Sequence, residues 1–220
     1  MKETHILVIN PNTTASMTDK IAVAARTAAG PACRITAINP RHGPAAIQGP
    51  DDGAAALPGL YALFDHTLEN DNSISAVVIA CFDDTGLFEL KARSPVPVIG
   101  IGEAAYHVAS VAALKFSVVT TLPVSVPVLE ENLRLLGLAA RCARVRASDV
   151  PVLELENPES DARHRIEQEI EKALEEDGSG AIALGCAGMA DLAADLTAKF
   201  RVPVIDGVAS AVRLVKAVLD

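Results

Sequence analysis

Two cysteines stand out by position. Cys81 closes the apolar run AVVIAC at 76–81, and Cys186 follows AIALG at 181–185. Small or acidic residues come next, FDDTG after the first and AGMAD after the second, and then a helical stretch. A thiol between a buried parallel strand and a helix lies where open α/β sheets bind ligands. The helix start offers free N–H donors and positive potential, which lower a thiol's pKa and hold a carboxylate or an oxyanion. Two such thiols flanking one carbon can move a proton from one face to the other. One thiolate removes it and the opposite thiol returns another. A free cysteine on its own is usually a small apolar filler, and Cys33 and Cys142 are read as filler or surface. The chain has no C-x-x-C pair and no His at zinc spacing near a cysteine, so no metal is expected.

The elements that must position these thiols repeat. Residues 76–109 and 181–214 share an apolar strand ending in Cys, a turn, a helix, a VPVI strand and a further helix. Cys81 and Cys186 are 105 positions apart, and Pro97 and Pro203 are 106 apart. VINPNTTASM at 8–17 answers VVTTLPVSVP at 118–127 in outline. Strands are expected at 5–10, 33–38, 76–81, 96–101, 117–121, 181–185 and 202–205, alternating with Ala-rich helices. Short apolar runs alternating with helices predict parallel sheets covered on both faces. The fold class is therefore α/β, with two pseudo-symmetric lobes, each a mainly parallel sheet flanked by helices. The active site is expected in the cleft between the lobes. Lobe 1 is read as 1–97 plus 206–220 and carries Cys81. Lobe 2 is read as 98–205 and carries Cys186, the last helix returning to lobe 1.

Composition narrows the partners. The 220 residues are 50% hydrophobic but only 3% aromatic, without Trp, so Ala, Val, Leu and Ile build the core. Net charge is −9 and the pI is near 5.0, with no basic stripe. That argues against nucleic acid and anionic membranes, and leaves a small molecule as the partner. No apolar run is long enough to span a bilayer, no secretory leader is evident at the start, and four cysteines without a C-x-x-C pair suit a reducing, cytoplasmic setting. In NPNTTASMT, Asn12, Thr13 or Thr14 is expected to cap a helix starting near Ala15. At least one of Asp83 and Asp84 is read as a helix cap before Thr85–Gly86. The Pro- and Gly-rich loop 39–53 is read as a pocket rim that brings Ile47 near a substrate side chain. Gly100 and Gly102 lack the spacing of a dinucleotide fingerprint and read as a tight strand-to-helix turn. His5, His66, His107 and His164 read as packing or surface residues.

Taken together, VINPNTTASMT, ACFDDTGL and LGCAGMADL resemble the Asp/Glu/hydantoin racemase superfamily, nearest its hydantoin and allantoin branch. The resemblance covers nearly the whole chain. It implies a cofactor-independent racemase with Cys81 and Cys186 as the catalytic pair, and a homo-oligomer. It implies substrate contact by Asn10, Thr120 and Thr121. It also implies that backbone N–H groups at Phe82, Asp83, Ala187 and Gly188 hold the substrate carbonyl or developing enolate. The chain departs from the family pattern at Asp83 and Thr85, where hydantoin racemases typically show Gly and Pro. It departs again at Phe82 and Ala187, where amino-acid racemases tend to carry Thr. The expected reaction is racemisation of a hydantoin-type ring, allantoin or a 5-substituted hydantoin. The alternatives are aspartate or glutamate racemisation, maleate isomerisation, and a non-catalytic small-molecule binding protein.

Overall fold

The computed structural model describes residues 4–219. The chain runs β1 (Thr4–Ile9), α1 (Ala15–Ala29), β2 (Cys33–Ile38), α2 (Pro50–Asn70), β3 (Ala76–Ile79), α3 (Leu87–Arg93), β4 (Val98–Gly100) and α4 (Ile101–Ala112). The second half runs β5 (Phe116–Thr120), α5 (Val126–Leu135), β6 (Cys142–Ala147), α6 (Ala162–Glu176), β7 (Ala181–Gly185), α7 (Ala193–Phe200), β8 (Val204–Ile205) and α8 (Gly207–Leu219). Short 3-10 turns occupy Pro123–Ser125, Val152–Glu156 and Ala187–Leu192.

The strands form two four-stranded, all-parallel sheets with orders β2-β1-β3-β4 and β6-β5-β7-β8. Each element of one sheet has a counterpart in the other, as the internal duplication predicts. Side chains alternate across a strand, and this sorts the core. Ile6, Val8, Ala76 and Val78 face a central cluster that also takes Phe116, Val118, Ala181 and Ala183 from the second sheet. Leu7, Ile9, Val77 and Ile79 face outward under α2 and α3. Val119, Ile182 and Leu184 do the same under α6 and α7.

The two closing helices cross over. α8 follows the second sheet but packs along α1 and against β1 and β3 of the first. α4 follows the first sheet but packs against β7 and α5 of the second, and the two helices lie on each other. Their starts approach closely at Gly207, where a Cβ would meet the Ile101 carbonyl oxygen at 2.6 Å.

One strand was not expected. Residues 142–147, CARVRA, form the edge strand β6, where the sequence suggests only a stretch after a helix. An edge strand has only one hydrogen-bonded neighbour, so its burial is partial and its apolar signal thin. Arg146 points inward and is neutralised by Asp177 and Glu176 at 2.6 Å each. Among the described residues no helix is long and apolar enough to cross a membrane.

Candidate active site

The strand ends determine the site. Backbone pairing carries β3 on to Ala80, whose N–H donates to the Ile9 carbonyl (2.8 Å), and Cys81 follows immediately. Cys186 leaves β7 in extended conformation and starts the 3-10 turn. Both thiols line one small cavity of about 30 Å³. The walls include Asn12 from the loop before α1, Met17 from its first turn, Ile47 from the rim loop, and Phe82, Asp83, Thr121, Val152 and Ala187. The space holds on the order of one water molecule, so a ring enters only if the walls part.

Both cysteines are partly buried, and loss of hydration at the sulfur is the main force raising their pKa values. Cys186 is pushed up to about 12 and Cys81 beyond the ordinary thiol range. The Asp83 carboxylate adds to the rise at both. Acting the other way, the Asp83 N–H donates to Cys81 and the Gly188 N–H donates to Cys186, and each favours the thiolate. The Thr85 hydroxyl lies 3.4 Å from the Cys81 sulfur. A buried thiol with a high pKa is a strong base once ionised, which suits removal of a proton from carbon.

The residues singled out in the sequence are not all gathered on the cavity wall. Cys81, Cys186, Ile47, Phe82, Asp83, Thr121 and Ala187 are. Gly188 sits behind Cys186, and a Cβ there would be 3.8 Å from the sulfur. Thr120 turns its hydroxyl to the Gly185 carbonyl (3.0 Å), tying β5 to β7. Asn10 is buried beneath the wall. Its amide donates to Asn12 Oδ1 (2.9 Å) and Thr18 Oγ1 (3.0 Å), and so orients Asn12.

Two capping expectations change. Asp84 caps α4, not the helix that follows it in sequence. Its carboxylate accepts the Gly102 and Glu103 N–H groups at 3.0 and 2.7 Å. α3 instead starts from Gly86, in the left-handed conformation, with no side-chain cap. Thr14 stands before α1 but spends its hydroxyl on the Ala45 carbonyl (2.6 Å).

Sequence reasoning did not find Met17, Val152 or the links that close the cavity. The Val152 N–H donates to Gln48 Oε1 (2.9 Å), and Lys20 donates to the Leu155 carbonyl (3.1 Å) while pairing with Glu156 (2.9 Å). Nothing in the chain order flags the Gln48–Val152 and Lys20–Leu155 contacts, whose partners lie more than 100 positions apart. Among the described residues no three His, Cys, Asp or Glu side chains gather as a metal-binding group.

The sequence profile of Asp/Glu/hydantoin racemases matches residues 6–215. The chain belongs to the Asp/Glu/hydantoin racemase family. Within the family it is 44% identical over 215 residues to a hydantoin racemase of Rhizobium meliloti, covering 98% of this chain and 88% of that one. The solved allantoin racemase from Klebsiella pneumoniae superposes with a TM-score of 0.94 at 43% identity, over 98% of this chain and 87% of the other. A glutamate racemase from Bacillus anthracis shares the two-lobed fold at 19% identity, with a TM-score of 0.74 over 100% of this chain and 82% of that chain.

Proposed function

We propose that this family member racemises a hydantoin-type ring, allantoin or a 5-substituted hydantoin, by passing a proton between Cys81 and Cys186. The observation that carries the reading is the pair of thiols from equivalent strand ends lining one small cavity. The hydantoin- and allantoin-racemising relatives at 43–44% identity support the ring as substrate. The C–H at position 5 of such a ring is acidic because a carbonyl adjoins it. One cysteine, as thiolate, takes that proton and becomes a thiol. The electron pair moves into the enolate, whose oxygen is stabilised by N–H donors of the cysteine turns. The other cysteine, as thiol, gives its proton to the opposite face and becomes the thiolate. The product is the mirror-image ring, and the two sulfurs have exchanged protonation states. No redox change occurs.

Entry needs the cavity to widen. In this reading the lobe built on the first sheet, which keeps β4 (Val98–Gly100) and so ends past the expected residue 97, and the lobe built on the second sheet part along the cleft, breaking the Gln48–Val152 and Lys20–Glu156 links. A homo-oligomer and a cytoplasmic location complete the reading. The exposed Val111 and Leu114 offer apolar surface for self-association, which light scattering tests.

The deciding experiment uses one enantiomer in heavy water. Deuterium should enter position 5 as optical rotation decays. Cys81→Ser and Cys186→Ser should each lower racemisation by at least about 10³-fold, in line with the loss of an acid/base group. Full activity in either variant, or rotation decay without exchange, overturns the proposal.

A further inference from the structure

Among the described residues the cavity walls carry a single ionisable carboxylate, Asp83, and no Lys, Arg or His, and Lys20, which acts on Cys186 from behind the wall, is paired with Glu156. Asp83 is held on three sides. The Ser125 hydroxyl donates to its Oδ2 at 3.2 Å, the Gly49 N–H donates to its carboxylate, and the Asn132 amide donates to its backbone carbonyl at 2.9 Å. These partners come from the 3-10 turn before α5, from α5 itself and from the rim loop, so Asp83 is fixed where these segments meet. It forms no ion pair among the described residues.

The other polar side chains of the cavity have less to offer a ligand. Asn12 Oδ1 already accepts from Asn10 and from the Thr14 N–H (2.9 Å), and the Asn12 amide nitrogen lies on the Met17 sulfur at 3.2 Å. Thr121 contributes a hydroxyl. Asp83 is therefore the strong acceptor facing the bound molecule. Its charge also opposes thiolate formation at both cysteines. A ligand that donates a hydrogen bond to the carboxylate relieves that opposition, and a ligand that brings a second negative charge worsens it. Cyclic ureides carry N–H donors beside the reacting carbon and no charge. Amino acids and dicarboxylates carry a carboxylate there and would find no cation on the walls.

We infer that the Asp83 carboxylate is the specificity-determining group of the cavity, accepting a ring N–H of a neutral cyclic ureide and turning away α-carboxylates. The inference rests on the racemase reading above and adds the basis of its selectivity.

The test compares wild type and Asp83→Asn on a 5-substituted hydantoin, on its N1-methyl and N3-methyl derivatives, and with the ring-opened N-carbamoyl amino acid as inhibitor. On wild type, methylating the contacted nitrogen should lower kcat/KM by about 10- to 100-fold, the worth of a hydrogen bond to a charged group. Asp83→Asn should lose a similar factor on the parent ring, mostly through KM, and its methyl penalty should shrink to about threefold or less. The carbamoyl acid should inhibit Asp83→Asn at least about fivefold more tightly than wild type, because a like charge has been removed. Equal rates on all three rings in wild type overturn the inference without any variant. So does an Asp83→Asn enzyme that loses kcat on every ring with its methyl penalty intact, since that is a purely structural role. Absence of position-5 exchange in wild type would instead overturn the racemase reading itself.

Discussion

The turn after Cys81 and the turn after Cys186 occupy the same place in two copies of one fold, yet they are built differently. The Cys81 turn is pinned by polar contacts. Asp84, in the left-handed region at φ 51°, reaches across to cap α4, and Asp83 is bonded to Ser125. The Cys186 turn is a 3-10 coil held by apolar contacts, with Met189 fully buried and Leu155 lying over Gly188. The difference continues at the closing helices. α8 is capped from its own doorstep, by Asp206 accepting the Val208 and Ala209 N–H groups at 2.8 and 2.9 Å. The position equivalent to Asp206 in the first half is Gly100, and Asp84 fills its place. A Cβ on Gly100 would fall on the Asp84 carboxylate. One capping acid thus sits in a cysteine turn rather than beside the helix it caps, and it ties that turn to the start of α4.

The largest break of this comparison is Gly100→Ala. It drives a methyl into Asp84 and should cost about 1–3 kcal/mol by overpacking, read as a lower urea midpoint. Racemisation should fall at least about tenfold, because a small misplacement of a catalytic group is expensive. Next, Asp84→Ala and Asp206→Ala should each cost about 1–2 kcal/mol through loss of a helix cap. Only Asp84→Ala should also lower kcat, by about tenfold or more, whereas Asp206→Ala should leave kcat near wild type. Equal kcat losses would mean that the two caps act alike.

The pH profile sharpens the electrostatic side. Because burial and the Asp83 charge hold both thiols above their ordinary range, little thiolate exists at neutrality, and raising pH increases it. kcat/KM should therefore climb from about pH 6 to about pH 9 without a plateau. Asp83→Asn removes a charge acting on both sulfurs, leaving Asp84 beside Cys81 and Glu156 and Lys20 beside Cys186. The rising limb should move to lower pH. A limb that stays in place would show that the Asp83 charge is screened from the thiols. The smallest effect is expected from Gly188→Ala. The added methyl meets Leu155 Cδ1 at 3.0 Å, the end of a flexible side chain, so stability should change by less than about 1 kcal/mol.

How much of this was legible follows from how local each signal is. Buried parallel strands announce themselves as short apolar runs, and the repeated strand–Cys–turn pattern exposes the two-lobed fold. β6 hid because only Val145 joins the core and its other buried residue is Arg146, whose partners, Glu176 and Asp177, lie about thirty positions downstream. The capping role of Asp84 was misread because an acid followed by a helix start is normally a local cap, and here the capped helix begins 17 residues later. The cavity wall mixes both kinds. Ile47 stands in a loop marked by its Pro and Gly content. Val152 and Met17 carry no mark in a chain where half the residues are hydrophobic.

The crossed helices α4 and α8 bear on how such a molecule can be taken apart. Each half lends its final helix to the other and borrows one back. A fragment ending after β4 would bare the inner faces of Ile6, Val8 and Val78 to water, and a fragment beginning at β5 would do the same with Val118 and Ala183. Neither fragment should fold in isolation, while the two halves expressed together as separate chains, each keeping its own last helix, retain every buried surface of the intact protein.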